Sequence, residues 1–148
     1  MRIRILYLLF FMLIFCNCNG QQVEKTEAGN TKEHTFQMVS VPSVIAEPEE
    51  RAAYLVKHYW DKFDFTDTTL IHFPEITEQA TSNYIDMMKY VPAKVAASSI
   101  KEMMSKASTD SSMFVYFSGL YEKYLYDPNS PMRDESLYIY VLELSLIH

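Results

Sequence analysis

Residues 113–125, which read MFVYFSGLYEKYL, carry apolar side chains on nearly every side of a helix, and this stretch decides the fold. A helix of that kind belongs at the centre of a protein. Ser108, Thr109 and Asp110 come shortly before it and offer capping side chains. We therefore predict a central helix that starts just after this cap. Its apolar residues are Met113, Phe114, Phe117, Leu120, Tyr121, Tyr124 and Leu125.

Three amphipathic segments come before the central helix. Pro48 begins the first, expected over residues 48–63, because proline and the acidic residues after it suit a helix N-terminus. Asp67 is expected to cap a short turn. Pro74 begins the second helix, Pro92 ends it, and a third follows at once. In all three, apolar residues recur at helical spacing, so each is expected to bury one face.

A fifth helix is expected over residues 132–143, after a turn rich in Asp, Pro, Asn and Ser at residues 127–131. The chain has only three Gly, which argues against a β-sandwich or barrel. We therefore predict an all-α fold, a small bundle of about five helices after a signal peptide and a flexible tether. The expected boundaries are 1–18 for the signal, 19–46 for the tether and an extended lead-in, and 47–143 for the helical domain.

The N-terminus has the pattern of an export signal. Arg2 and Arg4 give a basic start, residues 5–15 are all apolar, and the sequence then turns polar. The apolar run of about eleven residues is shorter than the roughly 20 needed to span a bilayer. We therefore expect an exported protein rather than one held by a first transmembrane helix.

The end of this signal leaves two outcomes open. Cys18 or Cys16 would receive lipid after cleavage, which would anchor the chain to a membrane and make it a cell-envelope lipoprotein, facing the periplasm or in the outer membrane. Alternatively, an ordinary signal peptidase would cut after Gly20. A disulfide between the two cysteines is a poor alternative, because one intervening residue gives a strained ring.

Charge and cysteine content exclude several functions. The formal net charge is −6, and it becomes −8 once the two arginines of the signal are removed. Such an acidic domain is unsuited to gripping phosphate backbones, so we expect no nucleic acid as a partner. After Cys18 the chain has no cysteine, and its stability must come from apolar burial. The four His are scattered without ligand spacing, and we predict no metal and no cofactor.

Few residues invite a chemical role. His58 lies on the first helix without a partner that spacing alone would fix, so we expect a helix-surface or half-buried residue rather than a catalytic base. Asp61, Asp64 and Asp67 lack the alternation and the glycine of a calcium loop, and capping is the expected role. Met87, Met103 and Tyr121 could line an adaptable binding groove, although core packing is the simpler interpretation.

Four strings resemble a known family. They are LVKHYWDKFDF at 55–65, IHFPEITEQA at 71–80, NYIDMMKYVP at 83–92 and YEKYLYDPNSPMRDESLYI at 121–139. Together they resemble DUF5106, a domain of unknown function in exported bacterial lipoproteins. The resemblance covers roughly residues 40–143, and DPNSPMR is its most specific part. It implies a thioredoxin-like domain following in the same natural chain, and it implies no catalytic residues here.

Two positions depart from that family. Tyr140 stands where the family pattern leads us to expect proline. The tail LSLIH at 144–148 resembles translated sequencing-adapter sequence, so we expect it to be non-native and the natural protein to continue beyond it. The thioredoxin-like part would then supply a Cys-x-x-C motif or a single reactive Cys.

Three functions are consistent with these observations. The first is a non-catalytic helical module of a thioredoxin-like thiol-disulfide exchange protein, which positions substrates or pairs subunits. The second is a ligand-binding envelope domain that uses the groove of Met and Tyr. The third is a hydrolase working through His58 and nearby carboxylates. We expect no enzymatic activity from the recorded chain itself, while the full-length protein is a candidate thiol-disulfide oxidoreductase.

Overall fold

Residues 35–146 are described by a computed structural model, and they form five α-helices. No strand occurs within that range, so the prediction of an all-α fold is confirmed. Short 3₁₀ turns lie at Thr68–His72 and Met88–Tyr90, and a π-helical turn, Glu122–Tyr126, continues directly from α4. The helices are α1 Pro48–His58, α2 Pro74–Met87, α3 Ala93–Ala107, α4 Ser111–Tyr121 and α5 Glu135–Ser145.

Aspartates and prolines set the helix starts. Asp110 accepts hydrogen bonds from two backbone N–H groups at the start of α4, and Asp134 does the same for α5. Asp67 accepts from the N–H of Thr69 and caps the first 3₁₀ turn, as predicted. Each of these side chains satisfies donors that a helix leaves unpaired at its N-terminus.

The first helix ends earlier than the sequence predicts. It stops at His58 rather than continuing to residue 63, and the chain turns through hydrogen bonds from Asp61 N to the His58 carbonyl (3.2 Å) and from Phe63 N to the Trp60 carbonyl (3.0 Å). An unbroken helix would point Phe65 away from Trp60, since residues five apart lie on different faces. The turn lets both rings enter the core, where they are buried.

The centre of the bundle is shared by α3 and α4. The prediction of α4 as the core element holds for Met113, Phe117 and Tyr121, none of which is exposed. Its other side reaches solvent, however, because Val115 is 70% exposed. Helix α3 packs against α1, α4 and α5, and it has more buried residues than any other helix. These are Ala96, Ala97, Ser99, Ile100, Met103, Met104 and Ala107.

Small residues on α3 allow the first helix to approach closely. Ser99 is buried and its hydroxyl donates a hydrogen bond of 3.1 Å to the Val56 carbonyl of α1. That bond satisfies a polar group that would be costly to bury alone.

An aromatic cluster holds the entry of the chain against the helices. Trp60 is its centre, and its ring lies 5.3 Å from Phe36, 5.6 Å from Tyr84 and 5.4 Å from Phe117, all edge to face. Phe36 belongs to the segment before α1 and also stacks on Tyr59 at 4.9 Å. The extended lead-in is therefore packed on the domain through this ring, and Arg51 of α1 also donates a hydrogen bond of 2.8 Å to its Ile45 carbonyl.

Gly119 is a site where a substitution should stabilise the protein. It lies inside α4 with a negative φ, and a Cβ added there would meet no atom within 4 Å. Because glycine costs about 0.5–1 kcal/mol relative to alanine within a helix, we expect Gly119→Ala to raise the free energy of unfolding by about that amount. Urea denaturation would measure it, with the exposed Val115→Ala as the control. A loss of stability in Gly119→Ala would contradict the open space described here.

None of the helices between residues 35 and 146 combines the length and the apolar character needed to cross a bilayer.

Candidate functional site

The DPNSPMR string forms a loop that completes the backbone bonding of the π-helical turn. Ser130 donates its hydroxyl to the Tyr124 carbonyl, and the N–H of Asp134 donates to the Leu125 carbonyl at 3.0 Å. Asp127 accepts from the backbone N–H of Asn129 at 2.8 Å. A π-turn shifts the hydrogen-bond pattern and leaves carbonyls needing other donors. The DPNSPMR string, the most specific part of the family resemblance, therefore has a structural role in this turn.

A cavity of about 430 Å³ lies beside this loop, between the end of α2, the start of α3 and the start of α5. Its buried lining is apolar and comprises Ile85, Met88, Ala96 and Leu125. Its volume is in the lower range of small-molecule sites. Sequence patterns do not reveal this cavity, because its walls come from segments that lie far apart along the chain.

Each charged group that lines the cavity has a partner. Lys89 contacts Asp86 at 2.6 Å, and Arg133 forms an ion pair with Glu135 at the start of α5. Asp134 is engaged as the N-cap of α5. The cavity therefore presents an apolar floor with neutralised charges around it, an arrangement suited to an apolar side chain rather than to acid–base chemistry.

The structure places the proposed groove residues in the core. Met103 is 2% exposed and Tyr121 is not exposed at all, and the Tyr121 hydroxyl donates to the Met103 sulfur at 3.6 Å. Met87 is partly exposed at the margin of the same core. None of the three lines the cavity beside the DPNSPMR loop.

Buried tyrosine hydroxyls do not supply an acid–base group at neutral pH. Burial raises the pKa of Tyr59 to about 12, against a smaller opposing effect of its hydrogen bond with Asn83. Burial likewise raises the pKa of Tyr84 and of Tyr121 far above the ordinary value. These phenols stay protonated, and they serve as core aromatics with a polar end.

His58 has a partner that the sequence analysis missed. Its Nδ1 lies 2.7 Å from Asp61 Oδ2, and Lys106 Nζ lies 3.3 Å from the other carboxylate oxygen of Asp61. Partial burial would raise the pKa of Asp61, but hydrogen bonds from His58 and Lys106 hold it below its ordinary value. The i, i+3 spacing on one turn could have revealed this pair. The carboxylate is shared with a lysine in an ion-pair network at the surface.

The other predicted sites have local explanations. Asp64 accepts hydrogen bonds from Thr66 at 2.9 and 2.6 Å, and Asp67 caps a turn, which matches the capping role expected for them. Across residues 35–146, no three His, Cys, Asp or Glu side chains come together as a metal site. The lipidation candidates Cys16 and Cys18 lie outside the described residues.

Glu78 links α2 to the π-helical turn and makes stability sensitive to acid. Hydrogen bonds from Lys123, and secondly from Tyr124 at 2.9 Å, hold the pKa of Glu78 below its ordinary 4.5, against a smaller effect of burial. Because the pKa of Glu78 is lower in the folded state, its ionised carboxylate stabilises the fold. This stabilisation is complete above pH 4.5 and is lost as the pH falls through the lowered value.

We expect Glu78→Gln to lower Tm at pH 7 by a few degrees at most, because Lys123 is exposed to solvent and screened. The difference from the unsubstituted chain should vanish in acid, where Glu78 is protonated in both states. Thermal melts by circular dichroism between pH 3 and pH 7 would measure this, at acid values chosen to span the transition. Glu122→Gln, at an exposed neighbouring position, is the control. A deficit that persists unchanged in acid would contradict the ion-pair explanation.

Comparison with known proteins places the helical fold in a wider context. The chain is 49% identical to part of a thioredoxin-like protein from Bacteroides caccae whose crystal structure is known, with a TM-score of 0.72. The match covers 74% of this chain and 40% of that one, so this chain spans well under half of its relative. No curated protein matches the chain. Residues 16–147 match the family described as "Domain of unknown function (DUF5106)". The match covers most of the sequence, and this chain belongs to the DUF5106 family.

Proposed function

We propose that this chain is the non-redox helical module of an exported thioredoxin-like protein. In this proposal a thioredoxin-like domain follows the module and carries out thiol-disulfide exchange. The module lies between that domain and a lipid anchor, and it controls which protein disulfides reach the reactive cysteine.

The similarity to the Bacteroides caccae protein carries the proposal. That protein is thioredoxin-like, and 40% of it matches a chain whose regular secondary structure, among the described residues, consists of helices alone. Thioredoxin-type redox chemistry requires a reactive cysteine, and this sequence has none after Cys18. The cysteine is therefore expected in a region that corresponds to the unmatched 60% of the relative.

The proposed role as a positioning module follows from the site geometry. The cavity beside the DPNSPMR loop has an apolar floor and paired charges, and His58 is held in a surface ion-pair network. Neither arrangement combines a nucleophile with an activating base. An apolar recess without reactive groups can hold a side chain of a neighbouring polypeptide, which is what a positioning module needs.

The test begins with the gene. We expect the uninterrupted reading frame beyond Glu143 to encode a domain with Cys-x-x-C or one reactive Cys, and the full-length protein to reduce insulin disulfides. Deletion of residues 35–143 should leave reduction of a small aromatic disulfide unchanged and alter reduction of protein disulfides. A full-length protein without thiol-disulfide exchange, or equal effects on both substrates, would refute the proposal.

Lipid anchoring is the second part of the proposal. Cells expressing the full chain would be labelled with radioactive palmitate and fractionated. We expect label and membrane association in the unsubstituted protein and in Cys16→Ser, and loss of both in Cys18→Ser. Loss of the label only in Cys16→Ser would instead identify Cys16 as the lipidated residue. Unlabelled protein in every case would support plain secretion by cleavage after Gly20.

A further inference from the structure

Helix α5 has apolar residues on two opposite faces. Leu137, Val141 and Leu144 face the bundle, and Val141 is 1% exposed. On the other side Ile139 is 53% exposed and Leu142 is 45% exposed. A helix that ends a monomeric bundle needs only one apolar face, so the second face requires another explanation.

The two exposed residues form one continuous stripe with Tyr138, which is half-buried and also packs against the core. Leu142 lies four positions after Tyr138 and three after Ile139, which puts the three residues on neighbouring parts of one helix face. Tyr126 of the π-helical turn stacks on Tyr138 with ring centroids 5.2 Å apart, and it is itself 49% exposed. We name these four residues the α5 stripe. All four come before the tail that is expected to be non-native.

Ion pairs border the stripe. Glu143 contacts Lys101 of α3 at 2.6 Å, and Glu135 pairs with Arg133 at the start of α5. An apolar centre with a polar border is the arrangement found at protein–protein interfaces. Isolated exposed apolar residues are common, whereas a row of them beside a stacked tyrosine pair is characteristic of a contact surface.

The relative's length indicates what covers the stripe. The matched 40% of the Bacteroides caccae protein corresponds to helices, while a thioredoxin-like domain has a β/α scaffold. Its thioredoxin-like part therefore lies in the unmatched portion. In the proposed arrangement the thioredoxin-like domain follows the helical module, which would attach it after helix α5 and next to the stripe. Domains joined by a short connection commonly share an interface of moderate size.

We infer that the α5 stripe is the docking surface for the thioredoxin-like domain of the same natural protein. This inference rests on the proposed function and adds the face through which the two domains meet. The docked domain would cover Ile139 and Leu142 and hold its reactive edge in a fixed direction relative to the cavity beside the DPNSPMR loop.

The test uses a chimera in which residues 35–143 of this chain replace the matched part of the Bacteroides caccae protein. Hydrogen exchange of the backbone amides at residues 139–143 would be compared between the chimera and the recorded chain alone. We expect exchange about tenfold slower in the chimera, because a covered helix opens less often. In the chimera, Ile139→Lys with Leu142→Lys should restore the fast rate. Val115→Lys, at an exposed apolar position on α4, should not.

The outcomes separate the two proposals. Unchanged exchange of α5 in a chimera that reduces insulin would overturn the docking surface and leave the proposed function in place. Slowed exchange in a chimera that reduces no disulfide would support docking and contradict the redox context. A third outcome would be exchange in this chain alone that slows as its concentration rises, together with dimers in analytical ultracentrifugation. That outcome would assign the stripe to a second copy of the chain and overturn the inference.

Discussion

Replacement of Trp60 by alanine is expected to destabilise the helical domain by about 3–5 kcal/mol, the range for removing a large aromatic ring from a core. Trp60 is 3% exposed and lies among six other aromatic rings at centroid distances of 5.2 to 6.0 Å. Domains of this size have a total stability of about 5–15 kcal/mol, so the variant should lie near the limit of folding. Urea denaturation followed by far-ultraviolet circular dichroism would measure the loss.

Trp60→Phe is the matched control. It retains a ring in the cluster and removes the indole Nε1, which is buried without a hydrogen-bond partner among the described residues. A buried donor without a partner costs about 1–3 kcal/mol, which offsets part of the lost packing. We therefore expect a much smaller loss than in the alanine variant. Equal losses in the two variants would show that a phenyl ring recovers none of the packing and would contradict the expected benefit of removing the unpaired Nε1 donor.

The helix starts could be predicted because their signals are local. Pro48, Pro74 and Asp110 act on backbone groups within a few residues of themselves, and the structure shows helices starting at or next to each of them. The C-terminal end of α1 was missed because the turn after His58 depends on contacts with distant residues. Periodicity alone cannot reveal where such rings must go.

The candidate site was harder to predict than the fold. The cavity beside the DPNSPMR loop combines Ile85 with Leu125, which are forty positions apart in the sequence. Met103 and Tyr121 attracted attention because of their residue types, yet both are core residues. Composition identifies residues that are able to form a groove, but burial is decided by which helix faces meet. The missed pair of His58 and Asp61, three residues apart, is the exception that spacing could have found.

Phe36→Ala is expected to have the second largest effect, a loss of about 2 kcal/mol. The ring packs on Tyr59 at 4.9 Å and on Trp60 at 5.3 Å, but it remains partly exposed, so the loss should be below the range for a fully buried phenylalanine. Trp60 is the only tryptophan, and its fluorescence should shift to longer wavelength as water reaches the indole. Urea midpoints from fluorescence and circular dichroism would give the stability change.

Met38→Ala is the control within the same segment, because Met38 is 49% exposed and should change stability by no more than about 0.5 kcal/mol. A chain cut at residue 47, the boundary expected from sequence, lacks Phe36 and also the Ile45 carbonyl that accepts a hydrogen bond from Arg51, so it should lose at least as much stability as Phe36→Ala. If the cut chain were as stable as the longer one, the aromatic cluster would be complete without Phe36, and the lead-in would be only a tether.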